Sequence, residues 1–298
     1  MPKNRLFIES ERMMKTITGH MVVKNEERWV WFSIMSVIDY LDKLIIFDNG
    51  STDNTINIIK SILANDKYRN KILFEEKGET DKGGFTKLRQ EQLDLTDTDY
   101  FMLVDGDEIW WKDSVEEIKN IINSPNAPLL IATRFINCAG DIYHYRKDCR
   151  ETYHINDVVG AISIRVFSKS IEGIHCSGDY GNEGYVDYSD HTVQNNIWST
   201  VIQNGKFLHT SYLQRAGNKI QDMAVFSRSW KNKSQNIWDC RFPRNYKYPE
   251  VLYLQYPEMI HSPWDKASLL VRLMQVKKPV RYLKRKINSF LYNSKCRK

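Results

Sequence analysis

The chain has 298 residues, 42% hydrophobic and 27% charged, enough for one large domain or two ordinary ones and too apolar for wholesale disorder. No apolar run reaches the ~18–20 residues a membrane span needs, and the opening MPKNRLFIESERMMK lacks the apolar core of a secretory signal. The net charge of +6 is uneven: Lys277 to Lys298 hold nine Lys or Arg and no acid, leaving 6 − 9 = −3 for the rest, so no basic face for nucleic acid is expected on the body.

In chain order, TITGHMVV (16–23), KLIIFD (43–48), KILFEE (71–76) and YFMLVD (100–105) read as strands. NEERWVWFSIMSVIDYL, TDNTINIIKSILAN and FTKLRQEQLDL read as helices between them. The second places Ile56, Ile59, Ile62 and Leu63 on one face, with Asp53 able to cap its start. Asp113 and Glu116 suggest a capping box for SVEEIKNIIN, while Lys82, Gly83 and Gly84 read as a loop without phosphate-loop spacing. Strands alternating with helices predict a parallel sheet covered on both faces, with ligands at the carboxyl ends of its strands.

From about 129 the texture turns β-rich through PLLIATRFIN, DIYHYR, AISIRVFS and KFLHTSY, with a long polar and aromatic loop at 171–191. Helices are expected at 218–233 and in ASLLVRLMQV. Val280, Leu283, Ile287, Phe290 and Leu291 fall at helical spacing among basic residues, a pattern suited to an anionic membrane surface. Five cysteines, odd in number and without metal-type spacing, suit free thiols in a reducing cytoplasm.

The stretch YFMLVDGDEIWW poses a charge problem. Phe101 to Val104 read as buried strand, yet Asp105, Asp107 and Glu108 follow at once. Burying such acids unpaired is costly, so a positive partner is expected, and a divalent cation is the economical one. A calcium loop does not fit, because Ile109 and Trp110 occupy positions where ligand and glycine are required. One of Trp110 and Trp111, beside these acids, is a candidate for stacking on a ligand.

Clusters stand at the strand ends: VVKNEE, IIFDNGSTDNT, DKGGFTKLRQ and MLVDGDE. This series resembles glycosyltransferase family 2, the inverting nucleotide-sugar transferases of GT-A fold, well over residues 16–125 and loosely beyond. The resemblance implies an α/β, Rossmann-like, mostly parallel sheet flanked by helices, a mixed β-rich acceptor half and a helical C-terminal extension. It places a glycosyltransferase domain at 1–215, with a nucleotide-sugar half at 16–125 and an acceptor half at 126–215. Residues 216–298 form the extension with its basic amphipathic tail.

By the same resemblance, Asp48 accepts a hydrogen bond from the nucleotide base, and Val23, Lys24 and Glu26 flank base and ribose. Arg89 faces the nucleotide. Asp105 and Asp107 hold metal and sugar-nucleotide, and His209 in GKFLHTSYLQR completes the metal site. The metal is Mn²⁺ or Mg²⁺, a His ligand favouring Mn²⁺. For the catalytic base the 171–191 loop offers Asp179, Glu183, Asp187 and Asp190, with Asp179 or Glu183 preferred because Gly-rich neighbours allow close approach to a ligand. Arg165 and Phe167 match an Arg-x-Phe strand of one branch, but His175 is followed by Cys176 where that branch has Glu. The implied donor is a UDP-sugar and the acceptor a glycan or lipid-linked glycan, at the inner face of the cell membrane or in the cytoplasm. The competing expectation is a catalytically silent relative that binds nucleotide or glycan.

Overall fold

The structure is a computed structural model describing residues 14–147, 153–179, 183–193, 199–225, 228, 238–269 and 272. Four strands open the chain: β1 (Ile17–Val23), β2 (Lys43–Asp48), β3 (Ile72–Glu76) and β4 (Tyr100–Leu103). Between them lie helices α1 (Val30–Val37), α2 (Thr55–Leu63), the single turn α3 (Asp66–Arg69) and α4 (Lys82–Asp94). The strands are parallel in the order β3-β2-β1-β4, the arrangement expected from their alternation with helices.

Alternation along β2 shows both faces covered. Leu44 and Ile46 join the cluster containing α1 and α2, while Ile45 and Phe47 pack against Leu88 of α4. Helix α1 is apolar nearly all round, and Val30, Trp31, Phe32, Ile34 and Val37 are all buried. It starts at Val30, five residues later than expected, because Asn25 takes a left-handed conformation (φ 54°) and Glu26 O receives the N–H groups of Trp29 and Val30. In α2 Ile59 and Ile62 are buried as expected, joined by Thr55 and Ile58, while Ile56 and Leu63 are half-buried. Asp53 does cap it, accepting from Thr55 N at 3.0 Å. Helix α4 begins at Lys82, so the expected loop is its first turn, capped by Asp81 through Gly84 N at 2.7 Å.

Beyond β4 come β5 (Glu108–Trp110), α5 (Lys112–Ile122), β6 (Leu130–Ala139) and β7 (Asp141–Tyr145). No capping box forms on α5, where Glu116 pairs with Lys112 instead. Two short hairpins, β8–β9 (Tyr153–Ile155, Val158–Gly160) and β11–β12 (His175–Ser177, Gly184–Val186), flank β10 (Ile162–Ser168). The series ends with β13 (Thr200–Tyr212), α6 (Lys219–Ala224) and β14 (Cys240–Arg241).

One sheet of ten strands runs β14-β7-β6-β10-β4-β1-β2-β3, with β13 paired to β6 and β5. The second half is mixed: β10 is antiparallel to both neighbours, while β13 runs parallel to β6 and antiparallel to β5. Phe242, Tyr248, Val251, Leu252 and Ile260 join the same core cluster as β1 and α1. Trp110 is core, stacked on Phe207 at 4.7 Å, whereas Trp111 is half-buried. No helix among the described residues is long and apolar enough to cross a membrane. The expected helix in ASLLVRLMQV lies largely, and the basic tail wholly, outside the described residues, as does most of 225–233.

Candidate active site

The carboxyl ends of β1, β2 and β4 are neighbours in the sheet, so the sequence clusters that end them meet. Asn25 is the brace. Its Oδ1 accepts from Thr52 N (2.7 Å) and Asp53 N (3.3 Å), and its own N–H donates to Ser51 Oγ (2.8 Å). Glu26 N donates to Thr55 Oγ1 and Asn54 N to Glu27 Oε2, so VVKNEE and DNGSTDNT form one hydrogen-bonded unit. Gly106 joins β4 to it. A Cβ there would come within 2.8 Å of Glu26 Cγ and 3.0 Å of Val23 Cγ1, which explains a glycine between the two aspartates.

Asp48 ends β2 and is almost fully buried. Its Oδ1 accepts from Gly50 N (3.0 Å) and Ser51 N (2.9 Å), while Oδ2 is buried with no hydrogen-bond partner among the described residues. Burial pushes the carboxyl up from its ordinary range, against the hydrogen bonds from Ser51 and Gly50. Gly50 sits at φ +79°, where a Cβ would lie 2.7 Å from Glu79 N, so the turn needs glycine. Lys24 pairs with Glu79 at 2.7 Å across the same loop.

Around the acids that end β4, the expected positive partner is present as arginine. Arg89 of α4, itself buried, donates to Asp105 Oδ1 at 2.9 Å, and Arg165 of β10 lies 3.3 Å from Asp105 Oδ2. Arg165 also pairs with the fully buried Glu108. Burial opposes ionisation of Asp105, but Arg165 and Arg89 outweigh it and hold the carboxyl below its ordinary range. For Glu108 burial wins, and the carboxyl is pushed well up despite Arg165.

Asp107 pairs with Arg215, which also reaches Glu26 at 3.3 Å. Arg228 binds Glu26 and Asp222 and donates to the carbonyls of Lys24 and Asn25. Glu26 is consequently buried among guanidinium groups; burial still pushes its carboxyl up to about 8, and Oε2 has no hydrogen-bond partner among the described residues. Arg215 and Arg228 are functional candidates that sequence reasoning passed over. Neither lies in a recognisable pattern, and only the return of the chain after β13 brings them here.

His209 lies on β13 opposite Glu108 of β5, with Nε2 3.4 Å from Asp107 Oδ2. That separation suits two ligands of one ion, since metal–oxygen and metal–nitrogen bonds are ~2.0–2.2 Å. Guanidinium groups engage both Asp105 oxygens, from Arg89 and Arg165, and also Asp107 Oδ2, from Arg215. Among the described residues no three Asp, Glu, His or Cys side chains converge on a metal position. Of the expected ligands Asp105, Asp107 and His209, the structure brings His209 and Asp107 into direct contact.

The two candidate bases part company. Asp179 is exposed. Glu183 is half-buried and adds to Asp105 in keeping Arg89 protonated. The hairpin that carries them is tied to α4 by Thr86 Oγ1 to Gly178 O and by Cys176 N to Gln90 Oε1 (2.7 Å). Asp187 and Asp190 serve the turn itself: Asp187 accepts from Ser189 N and His191 N, and Asp190 pairs with His175.

The chain is similar to several known proteins. The glycosyltransferase SunS from the SPbeta prophage of Bacillus subtilis (strain 168) is 22% identical over 147 residues, 48% of this chain and 32% of that protein. The chain thus spans about a third of the length of the curated relatives it matches. Staphylococcus aureus TarS (residues 1–349) superposes with a TM-score of 0.39 at 14% identity, covering 74% of this chain and 77% of that one. Mycobacterium tuberculosis glucosyl-3-phosphoglycerate synthase, solved with Mn²⁺, UDP and glucosyl-3-phosphoglycerate, gives 0.43 at 13% identity, covering 72% and 76%. The sequence model of glycosyl transferase family 2 matches residues 20–177, more than half of the chain. With the α/β GT-A architecture, this match means that the chain belongs to glycosyltransferase family 2.

Proposed function

We propose that the chain moves a sugar from a nucleotide diphosphate, UDP in the first instance, to a hydroxyl of a glycan or lipid-linked glycan with inversion. The observation that carries the reading is Asp48. A buried, unpartnered carboxylate oxygen at a strand's carboxyl end seeks an N–H donor, and the ring N–H of uracil, thymine or guanine supplies one. Val23, Lys24 and Glu26 then flank base and ribose. In this reading residues 16–125 hold the donor and 126–215 the acceptor, while the segment from 216 closes the donor side through Arg228.

The reaction needs two things from the protein. Negative charge grows on the diphosphate as the glycosidic bond breaks, and the guanidinium groups of Arg89 and Arg165 beside Asp105 oppose it electrostatically. The acceptor hydroxyl must lose a proton as it attacks the face of the sugar opposite the leaving group, and Glu183 is the better-placed base. A divalent cation on Asp107 and His209 would add charge neutralisation at the diphosphate, the imidazole favouring Mn²⁺ over Mg²⁺.

The pairing of Arg215 with Asp107 favours a second reading, a silent relative that binds nucleotide or glycan without transfer. Thermal shifts with UDP, GDP, dTDP and CDP, each with and without Mn²⁺ or Mg²⁺, test the donor site. Ligand at a hundred times Kd adds about 2.7 kcal/mol. A shift with one nucleotide, deepened by metal and lost in Asp107→Ala, is expected. No shift with any nucleotide would sink the donor assignment. Binding without hydrolysis or transfer of the matching nucleotide-sugar would select the silent reading.

A further inference from the structure

A cavity of about 500 Å³ lies where β6 and β7 meet the segment following β14. Three of its walls are cationic, from Arg146, Lys147 and Lys206, and no Asp or Glu lines it among the described residues. This differs from the neighbouring donor region, where Arg89, Arg165, Arg215 and Arg228 each have a carboxylate partner. Arg146 Nε and Nη1 are buried without a hydrogen-bond partner among the described residues, the guanidinium held 4.6 Å from the ring centre of Tyr212. Lys206 Nζ hangs between the rings of Trp111 (5.1 Å) and Tyr246 (5.9 Å), which position the ammonium without neutralising it.

The remaining wall is aromatic. Tyr145 stacks on Phe242 at 4.5 Å, and Phe242 on Tyr246 at 4.2 Å, giving a continuous ring surface. Tyr246 Oη is buried and unpartnered among the described residues, and burial pushes its phenol up, so it remains a donor. A few convergent donors against an aromatic wall are the features of a specific small-ligand site. Unpaired cations and donors with no acid among them select an anion, while flat ring surface suits the apolar face of a sugar. Phe135 also lines the cavity, and its ring lies 5.4 Å from His209, whose Nε2 is 3.4 Å from Asp107. The cavity is thus one ring away from the acids that end β4.

We propose that this cavity binds an anionic sugar unit of the acceptor, its phosphate or carboxylate on Arg146 and Lys206 and its ring against Tyr145, Phe242 and Tyr246. The inference rests on the glycosyl-transfer reading and deepens it by naming the acceptor class. Calorimetric titration of the full chain with glucose 6-phosphate, glucuronate, glucose and inorganic phosphate tests it. Glucose 6-phosphate or glucuronate should bind, and whichever binds more tightly identifies the anion. Glucose should not, and Lys206→Ala or Arg146→Gln should each weaken the anionic sugar by about tenfold or more. The UDP-induced thermal shift serves as the fold and donor-site control and should be unchanged in both variants. Glucose binding as tightly as the charged sugars, inorganic phosphate binding as tightly as glucose 6-phosphate, or affinity unaltered in both variants would each overturn the proposal. If wild-type protein ignores every nucleotide yet binds the charged sugars as described, the donor reading fails and the cavity assignment stands.

Discussion

The substitution Asp48→Asn isolates one atom of the proposed donor site. Gly50 N and Ser51 N both donate to Oδ1, so the amide oxygen of an Asn must occupy that place and its NH₂ replaces Oδ2. A donor then faces the ring N–H of uracil where an acceptor stood. Hydrogen bonds to charged groups contribute ~1.5–3 kcal/mol, which corresponds to roughly 10- to 150-fold in Kd for UDP. CDP should respond in the opposite sense, because cytosine presents an acceptor at the equivalent ring nitrogen. The ligand-free protein should lose no more than about 1 kcal/mol, since the variant exchanges one buried unpartnered polar atom for another. Titration calorimetry with UDP and CDP on both proteins, beside their melting curves, measures all three quantities. UDP affinity within about twofold of wild type, with the fold intact, would refute the assignment of Oδ2 as the base acceptor.

Two further outcomes follow from the same cluster. Glu26 is pushed from the usual 4.5 to about 8, so between those values the folded protein holds a proton that the unfolded chain releases. Its contribution to stability is therefore complete below pH 4.5 and lost as pH rises towards 8, with a ceiling of about 5 kcal/mol at ~1.4 kcal/mol per pH unit. The melting temperature of Glu26→Gln relative to wild type should climb between pH 5 and pH 8.5, and a flat difference across this range would remove the buried-acid reading. Gly50→Ala forces a side chain into a left-handed turn and against the Glu79 backbone, so denaturant unfolding should show a loss of at least about 1–2 kcal/mol. An Ala variant as stable as wild type would mean that the Asp48 turn is not held as described.

Much of the first half was legible because its signals are local. Short apolar runs separated by periodic helices dictate a parallel sheet, and the strand KLIIFD has the bounds its sequence predicts. The meeting of VVKNEE, DNGSTDNT and DGDE follows from topology alone, since parallel strands place their carboxyl ends together. Local rules misplaced what depends on contacts. Helix α1 starts late because Asn25 turns back to bind the next cluster, and Glu116 satisfies Lys112 rather than a cap.

The charge problem at Asp105, Asp107 and Glu108 shows where sequence stops. Three acids after a buried strand demand positive charge, and that demand is readable from twelve residues. Which cations answer it depends on segments far apart in the chain. Arg89 precedes the acids, whereas Arg165, Arg215 and Arg228 follow them by many tens of residues. A guanidinium group reaches a carboxylate only where chain return and sheet register bring the two together. The sequence by itself determined the family, the parallel half and the acids at its strand ends, because periodicity and motif spacing are properties of neighbours along the chain. Tertiary structure alone decided that arginines surround those acids, that Asp179 is exposed while Glu183 is half-buried, and that an aromatic cavity with no Asp or Glu among its described lining residues opens one ring away from His209. Those are relations between residues that no spacing along the chain records.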